Sequence, residues 1–197
     1  MEKKVIIDSS LNNSTLLLRD TLYNYLLPIV KSKRTIILLC IGSDRSTGDS
    51  LGPLVGHKLR FLSRDNFYIY GSLESPVHAK NLKDIIKEIN QKFKNPYIIA
   101  VDACLGSIQN IGNICVEEKP LSPGSAMNKK LPPVGNLSIT GIVNISGALE
   151  FMVLQNTRLH TVITLADIIS NGIYHSVLKT IGGRRLERPI KKAAISR

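Results

Sequence analysis

Two aspartates stand just beyond runs of apolar residues, and a pair of carboxylates is a recognised hydrolytic device. One ionised member draws a proton from water while its protonated neighbour gives one to the leaving group. The first follows Thr35-Ile36-Ile37-Leu38-Leu39-Cys40-Ile41-Gly42 and lies in Gly48-Asp49-Ser50-Leu51-Gly52-Pro53; the second ends Tyr97-Ile98-Ile99-Ala100-Val101-Asp102. Both runs are continuously apolar, as strands covered on both faces of a parallel sheet tend to be. Ligands of open α/β sheets bind beyond the carboxyl ends of such strands, so Asp49 and Asp102 are expected to meet in one crevice. Each also has a plainer use: Asp49 as the cap of a following helix, Asp102 as the cap of its own turn.

Other chemistries are poorly served. The letters G-D-S-L open a class of serine esterases, but the turn lies six residues past the strand and the late Asp167-Ile168-Ile169-Ser170 has no histidine to act as base. The Gly42–Ser50 stretch lacks the ending of a phosphate loop. His57, His78, His160 and His175 are scattered, without metal-ligand spacing, and no metal or cofactor is expected. Cys40, Cys104 and Cys115 read as buried reduced thiols, with Cys104 the one nearest the chemistry. The Lys119–Lys130 loop, with its Pro-Gly turn, free N–H groups and lysine pair, could hold an extended peptide or a developing oxyanion.

These residues need a scaffold. Hydrophobic spacing predicts helices over about 12–31, 49–62, 81–93, 146–155 and 159–178, and strands over 35–42, 67–71, 97–103, 113–118 and 137–144. The alternation implies a three-layer α/β/α fold with a mostly parallel central sheet. A single domain over residues 1–180 is expected, followed by a basic C-terminal tail at 181–197. No apolar run nears the roughly 20 residues of a membrane span, and the start, Met1-Glu2-Lys3-Lys4-Val5-Ile6-Ile7-Asp8, does not read as a signal peptide. The expected location is cytoplasmic. A net charge of +11 is concentrated towards the end, where seven basic residues from Lys179 to Arg197 face only Glu187; such an arm could touch nucleic acid or an acidic partner.

The segments Ile41–Gly56, Gly71-Ser72-Leu73-Glu74-Ser75-Pro76-Val77-His78-Ala79, Val101–Gly106, Lys119–Ser125 and Val153–Arg158 together resemble the YyaC-type sporulation proteins of spore-forming bacteria. That family is similar to the spore germination protease, an atypical aspartic peptidase, and more distantly to hydrogenase maturation proteases. The D-A-L-G-P motif of the germination protease matches Asp49–Pro53, its strand-ending I-D-A matches Val101-Asp102-Ala103, and its H-P-G-S-G-x-x-N-K loop matches Ser122–Lys129. The resemblance implies catalysis by Asp49 and Asp102. It implies substrate binding by Ser122, Gly124, Ser125, Asn128 and Lys129, with Ser122 standing where the protease has histidine. Its implied setting is the sporulating cell or forespore, with a peptide or protein substrate such as the small acid-soluble spore proteins. Three readings stay open: that peptidase, with a homo-oligomer among its expected partners; an inactive sporulation protein binding spore DNA or a partner through its basic surface; and a metal-assisted amidase.

Overall fold

The structure, a computed structural model, describes residues 4–123 and 131–182. Its centre is a six-stranded sheet built from β1 (Lys4–Asp8), β2 (Ile36–Cys40), β3 (Phe67–Tyr70), β4 (Tyr97–Gly106), β5 (Asn113–Glu117) and β6 (Leu137–Ile145). In space the strands run β1-β5-β6-β4-β2-β3. Four of them, β6, β4, β2 and β3, are mutually parallel, while β5 is antiparallel to both β6 and β1. The expected mostly parallel α/β/α architecture is therefore present.

Among the described residues five helices complete it: α1 (Ser14–Lys31), α2 (Leu51–Lys58), α3 (Leu82–Lys92), α4 (Glu150–Gln155) and α5 (Leu159–Thr180). The pleat of β2 shows how the layers divide. Ile36, Leu38 and Cys40 point into a core made with α1, α2 and α5, including Leu18, Leu22, Leu51, Val55, Leu165 and Ile169. Ile37, Leu39 and Ile41 point the other way, against Leu82 and Ile89 of α3. Successive side chains of a strand face opposite sides, so a continuously apolar run is what two covered faces require.

Three elements differ from expectation, the first being α2, expected over about 49–62 but running only from Leu51 to Lys58. β1 was not foreseen, because its apolar stretch is only Val5-Ile6-Ile7; it forms by pairing with β5, from Lys4 opposite Glu117 to Asp8 opposite Asn113. The helix expected from 146 begins at Glu150, because Leu149 sits in the left-handed region at φ 54° and Ser146 N–H is bound to the Gly106 carbonyl at 2.8 Å. Lys179, counted above with the basic tail, belongs to α5 and pairs with Asp20 of α1 at 3.1 Å. The rest of the tail, from 183 on, lies outside the described residues. Among the described residues no helix is long and apolar enough to cross a membrane.

Candidate active site

The chain leaves β2 and immediately doubles back on it. Ile41 N–H donates to the Val101 carbonyl at 2.7 Å and Gly42 N–H to the Val77 carbonyl at 2.8 Å, which extends the sheet past the end of β2. Gly42 has φ 141°, and a β-carbon there would lie 2.0 Å from the Asp49 carbonyl oxygen. Gly52 is pressed just as closely, its absent β-carbon 2.0 Å from the Ile41 carbonyl oxygen. Glycine at both positions lets the turn carrying Asp49 sit directly on the strand end.

Asp49 lies in a 3₁₀ turn, Gly48–Ser50, and the residue capping α2 is Ser50, without a side-chain capping bond. The expectation that Asp49 opens the helix is corrected to that extent: its carboxylate is not consumed as a helix cap. The neighbouring Ser50 hydroxyl is buried and donates to the Thr47 carbonyl at 2.6 Å. It is tied inside the turn, which removes the serine-esterase geometry.

Asp102 follows from strand parity. Tyr97, Ile99 and Val101 of β4 face the layer of α1, α2 and α5, while Ile98 and Ala100 face that of α3. Asp102 has the parity of Ile98 and Ala100, at the carboxyl end of the strand, with Thr140 of β6 as its register partner. The two acids follow β2 and β4, neighbours in the sheet at the point where the strand order reverses, since the chain runs from β2 outward to β3 and then back past β2 to β4. A crevice opens at the carboxyl ends where such connections diverge.

Asp49 and Asp102 line the same cavity of about 630 Å³, as do His78, Thr140 and Cys104. Asp102 is 7% exposed. Burial first, and then the charge of Asp49, push its carboxyl well above the ordinary range, against the Ala103 N–H that donates to Oδ1 at 2.8 Å. Burial also raises Asp49, but His78 and the Ser43 N–H oppose the rise. The two acids thus differ in kind: burial and its neighbour's charge make the inner one hold its proton the more strongly, and the outer one is the more readily ionised.

His78 is the residue that sequence reasoning passed over. Val77 bridges Ile41 as a parallel neighbour beyond the strand ends. The next residue is held by Asn81, whose Oδ1 accepts from His78 N–H at 2.8 Å and whose Nδ2 donates to the Pro76 carbonyl at 3.0 Å. His78 Nδ1 is buried and has no hydrogen-bond partner among the described residues. The local signal was the asparagine three residues after the histidine, where a side chain can lock the backbone before a helix. Thr140, inside a strand, carried no signal at all.

Of the substrate-binding residues expected in the loop, Ser122 is exposed and lines the cavity together with Pro123. Leu121 and Val134 exchange two backbone bonds of 2.8 Å. Gly124, Ser125, Asn128 and Lys129 lie outside the described residues. Cys104 lines the cavity beside the Thr140 hydroxyl, but burial pushes its thiol up to about 11, so it is a neutral packing group at physiological pH. His57, His160 and His175 do not line the cavity. Among the described residues no group of three or more His, Cys, Asp or Glu is placed to hold a metal ion.

Fold and site together define an open-sheet α/β protein with a pair of unequal carboxylates at the carboxyl ends of its parallel strands. The chain belongs to the family described as Protein of unknown function (DUF1256), whose model matches residues 7–172. It is 51% identical to the uncharacterized protein YyaC of Bacillus subtilis (strain 168) over 140 residues, which are 71% of this chain and 68% of YyaC. Among solved structures it is similar to the nickel–iron hydrogenase maturation protease HycI from Thermococcus kodakarensis KOD1, with 16% identity and a TM-score of 0.37 over 74% of this chain and 98% of that one.

Proposed function

We propose that the protein hydrolyses peptide bonds through Asp49 and Asp102. The observation that carries this reading is the unequal pair itself: two acids from different strand ends, in one cavity, with the inner raised by burial and by the outer one's charge. Asp49, ionised and beside His78, takes a proton from water as its oxygen attacks the scissile carbonyl carbon. Asp102 gives its proton to the carbonyl oxygen, forming a neutral tetrahedral diol. As the C–N bond breaks, Asp49 passes its proton to the departing nitrogen and Asp102 recovers one from a hydroxyl, leaving acid and amine.

Both carboxyls stand above the usual range. Turnover is therefore expected to fall in acid where Asp49 becomes protonated, and again at higher pH where Asp102 gives up its proton. The motif match with the germination protease supports a setting in sporulating cells and a small acid-soluble spore protein as substrate. The net charge of +11 favours encounter with acidic chains over long range, although the cavity rim mixes Asp44, Glu74 and Glu150 with Arg45 and Lys80. The deciding experiment incubates wild-type, Asp49→Asn and Asp102→Asn proteins with acid-soluble spore proteins and with disordered β-casein, following new amino termini by mass spectrometry. Cleavage by wild type alone supports the reading; no cleavage by wild type, or equal cleavage by all three, defeats it.

A further inference from the structure

The strand at the sheet edge nearest the carboxylate pocket is open along its second half. Among the described residues β3 is last in the sheet order and pairs with β2 alone, apart from a bridge between Phe67 and Arg64. Ile36 N–H donates to the Asn66 carbonyl at 2.8 Å, and Ile36, Ile37, Leu38 and Leu39 stand in register with Phe67, Tyr68, Ile69 and Tyr70. In that parallel ladder the main-chain groups of Asn66, Tyr68 and Tyr70 face β2, which turns the N–H and C=O of Ile69 outward, while the outward side of Phe67 is taken by its bridge to Arg64.

Proteins normally blunt such an edge with charge or proline. The other edge does so: β1 begins at Lys4 and ends at Asp8, both exposed. β3 reads Phe-Tyr-Ile-Tyr, with neither. It also lies in a groove of about 700 Å³, walled by Arg60 and Ser63 on one side and Ile85 and Glu88 of α3 on the other. That groove shares Pro76 and His78 with the carboxylate cavity, so the two adjoin at the histidine beside Asp49.

We infer that β3 is the docking edge for the substrate, which binds as an extended polypeptide segment added to the sheet and continuing past His78 to the aspartates. This rests on the peptide-hydrolysis reading and narrows it to a class: a disordered or unfolded segment whose docked stretch, some four residues at about 3.3 Å each, is uncharged. Main-chain bonds from Ile69 would supply affinity, and the groove walls would select alternate side chains.

The test uses full-length Asp49→Asn protein, which holds substrate without turning it over, with disordered β-casein as probe and amide exchange read by NMR. The expected result is at least a tenfold slowing of exchange at Ile69 on saturation. Ile69→Pro, which removes the outward N–H while an edge strand tolerates proline, should weaken casein binding at least tenfold. Ile69→Ala, which keeps the N–H, should stay within about threefold. Unchanged Ile69 exchange, no casein binding up to about 1 mM, or protection that rises with protein concentration in the absence of casein, as pairing of two copies would give, each overturns the inference. Should Ile69→Pro fail to fold, the exchange measurement decides alone. Protection at Ile69 without cleavage by wild type would leave the docking edge standing and remove the hydrolytic reading. Cleavage by wild type without protection at Ile69 would do the reverse.

Discussion

The two faces of the central sheet are made from the same strands and do different work. On one, Leu38, Ile99, Leu137 and Ile139 disappear under α1, α2 and α5, and their neighbours are apolar almost without exception. On the other, Leu39, Ile98 and Ala100 are covered by α3 and the Leu121–Val134 pairing. Beyond that cover, the same parity brings Asp102, Cys104 and Thr140 to an open cavity. A single residue of register separates a side chain that holds the fold from one that titrates, because the pleat alternates strictly. The sealed face can hold the structure rigid while the half-open one accommodates polar groups and a ligand.

The sharpest way to break this comparison is at the acids. Asp102→Asn and Asp49→Asn are each expected to lower kcat/KM for peptide hydrolysis by about 10²–10⁴, the usual worth of a positioned acid or base, with the far-ultraviolet circular dichroism spectrum unchanged. A variant that keeps turnover would mean that the open face is not the reactive one.

Next in size is a pair of neighbours. Leu38 and Leu39 are the same residue type, adjacent in β2, and both fully buried, but they face opposite layers. Leu→Ala in a core costs about 2–5 kcal/mol according to how little the site can collapse. Leu38→Ala, under three helices, should fall at the upper end in urea unfolding and Leu39→Ala, under one, at the lower. Equal or reversed costs would show that the faces are equally rigid.

Asp102 also burdens stability in a pH-dependent way. Its folded carboxyl titrates above its unfolded value, so between the two the folded state binds the extra proton and stability falls as pH rises. Asn mimics the protonated acid. Asp102→Asn should therefore match wild type in thermal melts near pH 3.5 and become the more stable as pH rises through the folded carboxyl's titration. The gain should reach about 1–3 kcal/mol, the scale of a relieved buried polar group. A constant difference across pH would show that Asp102 is not held protonated. The smallest effect belongs to the outer surface of the sealed layer, where Lys58 of α2 meets Asp167 of α5 at 2.7 Å with both side chains partly exposed. Lys58→Ala should change unfolding free energy by less than about 1 kcal/mol, and a larger loss would assign the sealed layer's strength to charge rather than packing.

Much of this was legible in the chain. Continuous apolar runs at 36–41 and 97–101 could only be strands covered twice over, and an acid beyond each pointed to the crevice where they end. His78 was not legible, because its approach to Asp49 depends on Val77 docking beside Ile41, a contact between segments 36 residues apart in sequence. β1 was missed for a similar reason: Val5-Ile6-Ile7 is too short to declare itself, and only the partner β5 makes it a strand.

The sequence by itself determined the layers, the parity of each strand and the types of the two acids, since all of these follow from local periodicity and from where apolar runs stop. Only the tertiary structure decided which acid is buried against the other's charge, which histidine stands beside them, and which sheet edge is left open next to the pocket. Those are properties of long-range packing, set by how distant segments exclude water from one another, and no local pattern of residues encodes them.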